Sequence, residues 1–102
     1  MTSRAVTAAV AAGVRALDVG CPGWAQKINL VRLDLGDCCQ CVLGQVFDAP
    51  SLYNPYSYGL WALNIDGRSR EHGFSFEAEP GYTILLDKEW RRVIAARQGG
   101  AA

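Results

Sequence analysis

The residues best equipped for chemistry gather in one short stretch, DCCQCVLGQ, residues 37–45, where Cys38, Cys39 and Cys41 precede an apolar run. Thiolates bind soft metals and attack disulfides, so the spacing points to half of a metal site, a redox pair, or small apolar residues on a buried helix face. On a helix Cys38 and Cys41 point the same way while Cys39 is turned about 100° aside. Two thiolates make only half of a tetrahedral zinc site, and the other soft donors of the chain are Cys21 and His72, in separate loop-like segments. The second matching pair that marks zinc domains is missing. The expectation is therefore no metal and no cofactor, with these cysteines packed as small hydrophobes beside Val42. Zinc held by Cys38 and Cys41 with Cys21 or His72 is the alternative. A thioredoxin-like redox motif needs a strand ahead of CxxC in a βαβ frame, and no such frame is present. A helix N-terminus here would lower the pKa of Cys38 or Cys39, giving reactivity without catalysis.

An enzyme would have to assemble a nucleophile and base from Cys41, His72 and Asp34, because a thiol needs a partner that takes its proton. The chain has one histidine, and His72 stands directly before Gly73, where it reads as a helix-end residue bonded to carbonyls. There is no Gly-rich phosphate loop. No catalytic residue is expected, and the chain is read as a non-enzyme.

Binding asks for less. Tyr53, Tyr56, Tyr58 and Trp61 crowd nine residues beside Pro50 and Pro55, and surface Tyr and Trp are the commonest interface anchors. These four are the candidate partner-binding residues. Tyr56 shares a helical face with Leu60 and Leu63, so some of the set must face the core; closing a small core is the competing use. A copy of the same chain, paired about a two-fold axis, is a further candidate partner. Ten basic residues balance ten acidic ones, which argues against a polyanion partner. Nucleic acid survives only as a weak alternative, through Arg68-Ser69-Arg70 and Arg91-Arg92.

The elements that must position these residues read as helices. Half of the 102 residues are apolar, enough for one core, so the expectation is a mainly α, single-domain bundle of four to five short helices with one extended connection, spanning 1–98, and a flexible tail at 99–102. Val6, Val10, Val14 and Leu17 line one helix, with Ser3 as N-cap and a left-handed Gly20 before Pro22 as its stop. Trp24 and Ile28 predict a short second turn. Leu33 and Leu35, alternating with Arg32 and Asp34, predict an extended segment. A helix capped by Asp37 then carries Cys38, Val42 and Val46, with Gly44 explained by a second helix crossing there. Asn54 followed by Pro55 starts another helix. Asp66-Gly67 marks a turn. Tyr82, Leu86, Trp90, Val93 and Arg97 define the last helix, with Asp87 facing Arg91. The apolar stretch AVTAAVAAGV after Arg4 is closed by Arg15 and Asp18, too short to span a bilayer and without a cleavage site. Adjacent cysteines rarely bond to each other, so free thiols and the cytoplasm are expected.

CPGWAQKINLVRLDLGDCCQCVLGQVF, then YGLWAL, HGF and the Tyr82 to Trp90 spacing, resemble a family of small proteins encoded by actinobacterial phages and prophages, over residues 13–97. The most specific words are Pro22-Gly23-Trp24 and Cys41-Val42-Leu43-Gly44-Gln45. The resemblance implies that these positions form a structural skeleton rather than an active site, and that the compartment is the host cytoplasm. Together with the aromatic segment, this setting leads to the expectation of an accessory protein that binds a host or phage protein. The chain departs from the family in DAPSLYNPYSY, residues 48–58, the aromatic segment just described.

Overall fold

The computed structural model describes residues 3–47, 54–74 and 80–99. Among the described residues four α-helices follow one another: α1 Ser3–Gly20, α2 Val42–Val46, α3 Pro55–Ala62 and α4 Pro80–Gly99, with a 3-10 turn at Trp24–Lys27 between α1 and α2. No strand occurs among the described residues. The architecture is the small, mainly α bundle that the apolar spacing predicts. Among the described residues no helix is long and apolar enough to cross a membrane.

The two long helices form the frame. Val6, Val10, Val14 and Leu17 lie on the buried face of α1, and Tyr82, Leu86, Trp90 and Ile94 on that of α4. The last turn of the α4 stripe falls to Ile94, which is fully buried, whereas Val93 sits at its edge, half-buried. Close approach of the two helices is allowed by Gly13, since a Cβ there would overlap the His72 carbonyl oxygen and crowd the Trp90 ring at 3.0 Å. Trp90 is the hub, stacked on Phe74 at 5.3 Å and met edge-on by Trp24 at 6.0 Å. Its Nε1 donates to the carbonyl of Gly73 at 2.7 Å. At the far end Arg97 donates twice to Asp18, at 2.8 and 2.9 Å, and Trp24 Nε1 donates to the same carboxylate. The Arg97 hydrogen bond holds Asp18 below the usual carboxylate range.

The short helices α2 and α3 form a second pair. Here Gly59 admits the contact, because a Cβ at that position would press on Phe47 at 2.9 Å and on Leu43 at 3.1 Å. The 3-10 turn packs against both α4 and α2 and so joins the two pairs. All of them feed one buried cluster.

Several expectations change in detail. The left-handed residue after α1 is Gly23, at φ 83°, not Gly20, which remains helical. The long connection before α2 is present but is built of linked turns, with Arg32 N donating to Asn29 O, Leu33 N to Leu30 O and Asp37 N to Asp34 O. Without a neighbouring strand among the described residues its backbone groups must be satisfied locally, and Arg91 of α4 helps by donating to the Leu30 and Leu33 carbonyls at 2.8 and 2.7 Å. The inward alternation survives in Leu33, 4 % exposed. The helix expected from Asp37 begins only at Val42. Gly44 is crossed not by a helix but by the preceding turn, against the Cys38 oxygen and the Cys39 backbone. Finally, α4 runs through Gln98 and Gly99, and Gln98 donates to the Ala25 and Ile28 carbonyls at 2.9 and 2.6 Å. Of the tail expected at 99–102, Gly99 is thus helical and the rest lies outside the described residues, as does the Ser3 side chain.

Candidate interaction surface and the cysteine turn

The start of α3 is fixed by its sequence. Asn54 Oδ1 accepts from the N–H groups of Tyr56 and Ser57 at 2.9 and 3.2 Å, and Pro55 fills the first helical position, where no donor is needed. That start sets the register of the aromatics. Tyr56 turns toward the core, half-buried beside it, and burial pushes its phenol up against the opposing hydrogen bond from Ser69. Tyr58 and Trp61 fall on the other side. Trp61 is 68 % exposed, the largest exposed aromatic among the described residues. Tyr58 lies between it and the core, with ring centroids 5.9 Å from Trp61 and 6.2 Å from Phe47. The Phe47, Tyr58 and Trp61 rings form one row from the end of α2 across α3. A concavity of about 460 Å³ opens beside it, lined among the described residues by Asn54, Ser57, Tyr58 and Trp61. Of the four expected anchors, then, Tyr58 and Trp61 share an outer face, Tyr56 faces inward, and Tyr53 lies outside the described residues. Phe47 was not among them. Its signal was its place after the last apolar residue of α2, where it reaches across Gly59.

The cysteines separate. Cys41 is the N-cap of α2, with its Sγ accepting from Gly44 N at 3.3 Å; it is 4 % exposed, and burial pushes its thiol up to about 11. A thiol held protonated at neutral pH is the opposite of an activated nucleophile. The expected use of Cys41 as a small buried hydrophobe agrees with this placement. Cys38 and Cys39 are instead exposed, on a turn, with their Sγ atoms 3.7 Å apart. The hydrogen bond and charge of Cys38 push Cys39 up. Cys38 and Cys41 therefore do not share a helix face, because the helix begins after both, and the expected chelating geometry of that pair is corrected.

The other proposed donors are committed elsewhere. Cys21 is half-buried with Lys27 Nζ 3.9 Å away, and His72 Nδ1 donates to the Arg68 carbonyl at 2.9 Å. Asp34 accepts from Gly36 N at 2.9 Å. Among the described residues the only group of three metal-donor side chains with ligand atoms within 4.8 Å of one another is Asp37, Cys38 and Cys39. Those residues are consecutive, so an ion there would link no distant parts of the chain and would add little to the stability of the fold. A chelator should accordingly leave the melting temperature within about 1 °C, whereas a structural zinc supplying about 10 to 16 kcal/mol could not be removed unnoticed. A fall of several degrees with chelator would contradict this.

The arginines of the nucleic-acid alternative bond to their own chain: Arg91 to Asp87 and two carbonyls, Arg92 twice to Glu89, Arg68 to the Asn64 carbonyl. No family model, curated protein or solved structure matches the chain.

Proposed function

We propose that the protein acts by binding another protein through the outer face of α3, and that it performs no catalysis. The observation that carries this reading is Trp61, 68 % exposed on a well-capped helix, with Tyr58 beside it and a concavity alongside. An exposed indole braced by a neighbouring ring gives up little rotamer freedom on binding and buries a large area, which is how a few residues dominate an interface. The resemblance of the sequence to small actinobacterial phage proteins supplies the setting: an accessory protein in the host cytoplasm whose partner is a host or phage protein.

Affinity capture from host lysate with mass spectrometry tests it. Trp61→Ala and Tyr58→Ala should each weaken capture at least tenfold, about 1.4 kcal/mol, while Trp61→Ala leaves unfolding free energy within about 0.5 kcal/mol of the parent. Light scattering over a range of concentrations separates a hetero-partner from a second copy of the chain. Partners retained equally by both variants would place the interface elsewhere.

A further inference from the structure

The turn that the fold takes away from α2 has a chemistry of its own. Its backbone is closed at both ends: Asp34 N donates to Gln40 O at 3.1 Å, and the Asp37 carbonyl accepts from Gln40 N and Cys41 N at 3.1 and 2.9 Å. Gln45 Nε2 donates to the same Gln40 carbonyl at 2.9 Å, tying the turn to α2. Asp37 Oδ1 accepts from Cys39 N at 2.8 Å and from Gln40 N at 3.3 Å, fixing the carboxylate beside the two thiols. The turn rests against Gly44 through the Cys38 oxygen and the Cys39 backbone. Cys38 and Cys39 are therefore presented to solvent by a braced frame.

Their spacing is that of a chelate. Two thiolates at about 2.3 Å from one ion in tetrahedral geometry are about 3.8 Å apart, and the Sγ atoms stand at 3.7 Å. Between the free thiols this separation is an S–H···S contact, and it is also the one that two sulfurs take on a single ion. A thiolate and a carboxylate oxygen on the same ion are about 3.5 Å apart, so Asp37, within 4.8 Å of both sulfurs, has at most about 1.3 Å to close.

We infer that Asp37, Cys38 and Cys39 form a surface site for a soft divalent cation, Zn(II) or Cd(II), with two thiolate ligands and one carboxylate. Binding releases the two thiol protons to solvent and involves no change of oxidation state. Sulfur selects against magnesium and calcium, which take oxygen ligands. The fourth position faces solvent and takes water. The site differs from the CxxC chelate that the sequence suggests, because Cys41 is withdrawn into the core as the α2 cap.

Titration of the reduced protein with Cd(II) alone tests this, read by thiolate-to-cadmium charge-transfer absorption and by native mass spectrometry. The parent should bind one equivalent. Cys38→Ser and Cys39→Ser should each weaken binding at least a hundredfold, since even supporting residues of metal sites are worth about 10- to 100-fold; being exposed, they should melt with the parent. Asp37→Asn keeps an acceptor for the Cys39 N–H but loses the anionic ligand, and should bind about tenfold more weakly. Cys21→Ser should bind as the parent does. No bound equivalent, binding that survives Cys39→Ser, loss of binding in Cys21→Ser, or unchanged affinity in Asp37→Asn would each overturn the assignment.

Discussion

Trp90→Ala is expected to destabilise the protein by about 3 to 5 kcal/mol, the loss typical of removing a large aromatic from a core that cannot close over the gap. Trp90 is fully buried and touches the core on every side: Phe74 stacks on one face, Trp24 meets it edge-on, and α1 passes its ring at Gly13. The cavity would thus open where α1, α4 and the Gly73-Phe74 segment meet. The Gly73 carbonyl would also lose the Nε1 donor at 2.7 Å. Trp90→Phe separates the two effects, since it keeps much of the ring volume but orphans the carbonyl; its loss should be about 1 to 3 kcal/mol. Urea unfolding measures both. Against a total of about 5 to 15 kcal/mol for a domain of this kind, the alanine variant should be near unfolding at 37 °C. An alanine variant within 1 kcal/mol of the parent would show that this is not the hub of the core.

How much of this was legible in the sequence follows from the range of each interaction. The buried stripes of α1 and α4 each repeat over roughly three to four turns, so periodicity alone finds Val6, Val10, Val14 and Leu17, and Tyr82, Leu86 and Trp90. The Asp87 to Arg91 pair is equally local, and forms at 2.8 Å. Asn54 and Pro55 announce α3 because both act within one turn. The region from Asn29 to Cys41 departs from the periodicity for a physical reason. Asp37 is a strong cap by residue type, but its side chain serves the N–H groups of Cys39 and Gln40 in a turn and leaves the helix to start later. The cap that does start α2 is a thiol, a weak acceptor that no propensity scale favours. Once the helix moves four residues, every statement about which cysteines share a face moves with it. That is why Cys38, expected on the buried face beside Val42, is exposed, while Cys41 is buried as the cap of α2.

The aromatic segment was half legible for a related reason. Helical phase separates Tyr56 from Tyr58 and Trp61 once the start is known, and the Asn54 cap fixes that start. Phase cannot say that Phe47 reaches across from α2, because that contact depends on the absent Cβ of Gly59. Gly13 and Gly59 are among the glycines where elements distant in sequence approach each other.

Gly44 carries the second large effect. A Gly→Ala change inside an exposed helix ordinarily stabilises by up to about 1 kcal/mol, but here the sign should reverse. A Cβ at Gly44 would overlap the Cys38 oxygen and lie 2.7 and 2.8 Å from the carbonyl carbon and Cα of Cys39. All three are backbone atoms, so no rotamer change relieves the clash, and the turn is held in place by the Asp34–Gln40 and Asp37–Cys41 hydrogen bonds. Gly44→Ala should therefore lose about 1 to 3 kcal/mol, the range for overpacking a close contact. Gly44→Leu should lose more, and unfold or aggregate at 37 °C, because three further carbons must pass between α2 and the turn. Thermal melts of the two variants beside the parent decide it. If Gly44→Ala melts at or above the parent, the turn can step aside at no cost, and the bracing that holds Cys38 and Cys39 at the surface is weaker than their hydrogen bonds imply.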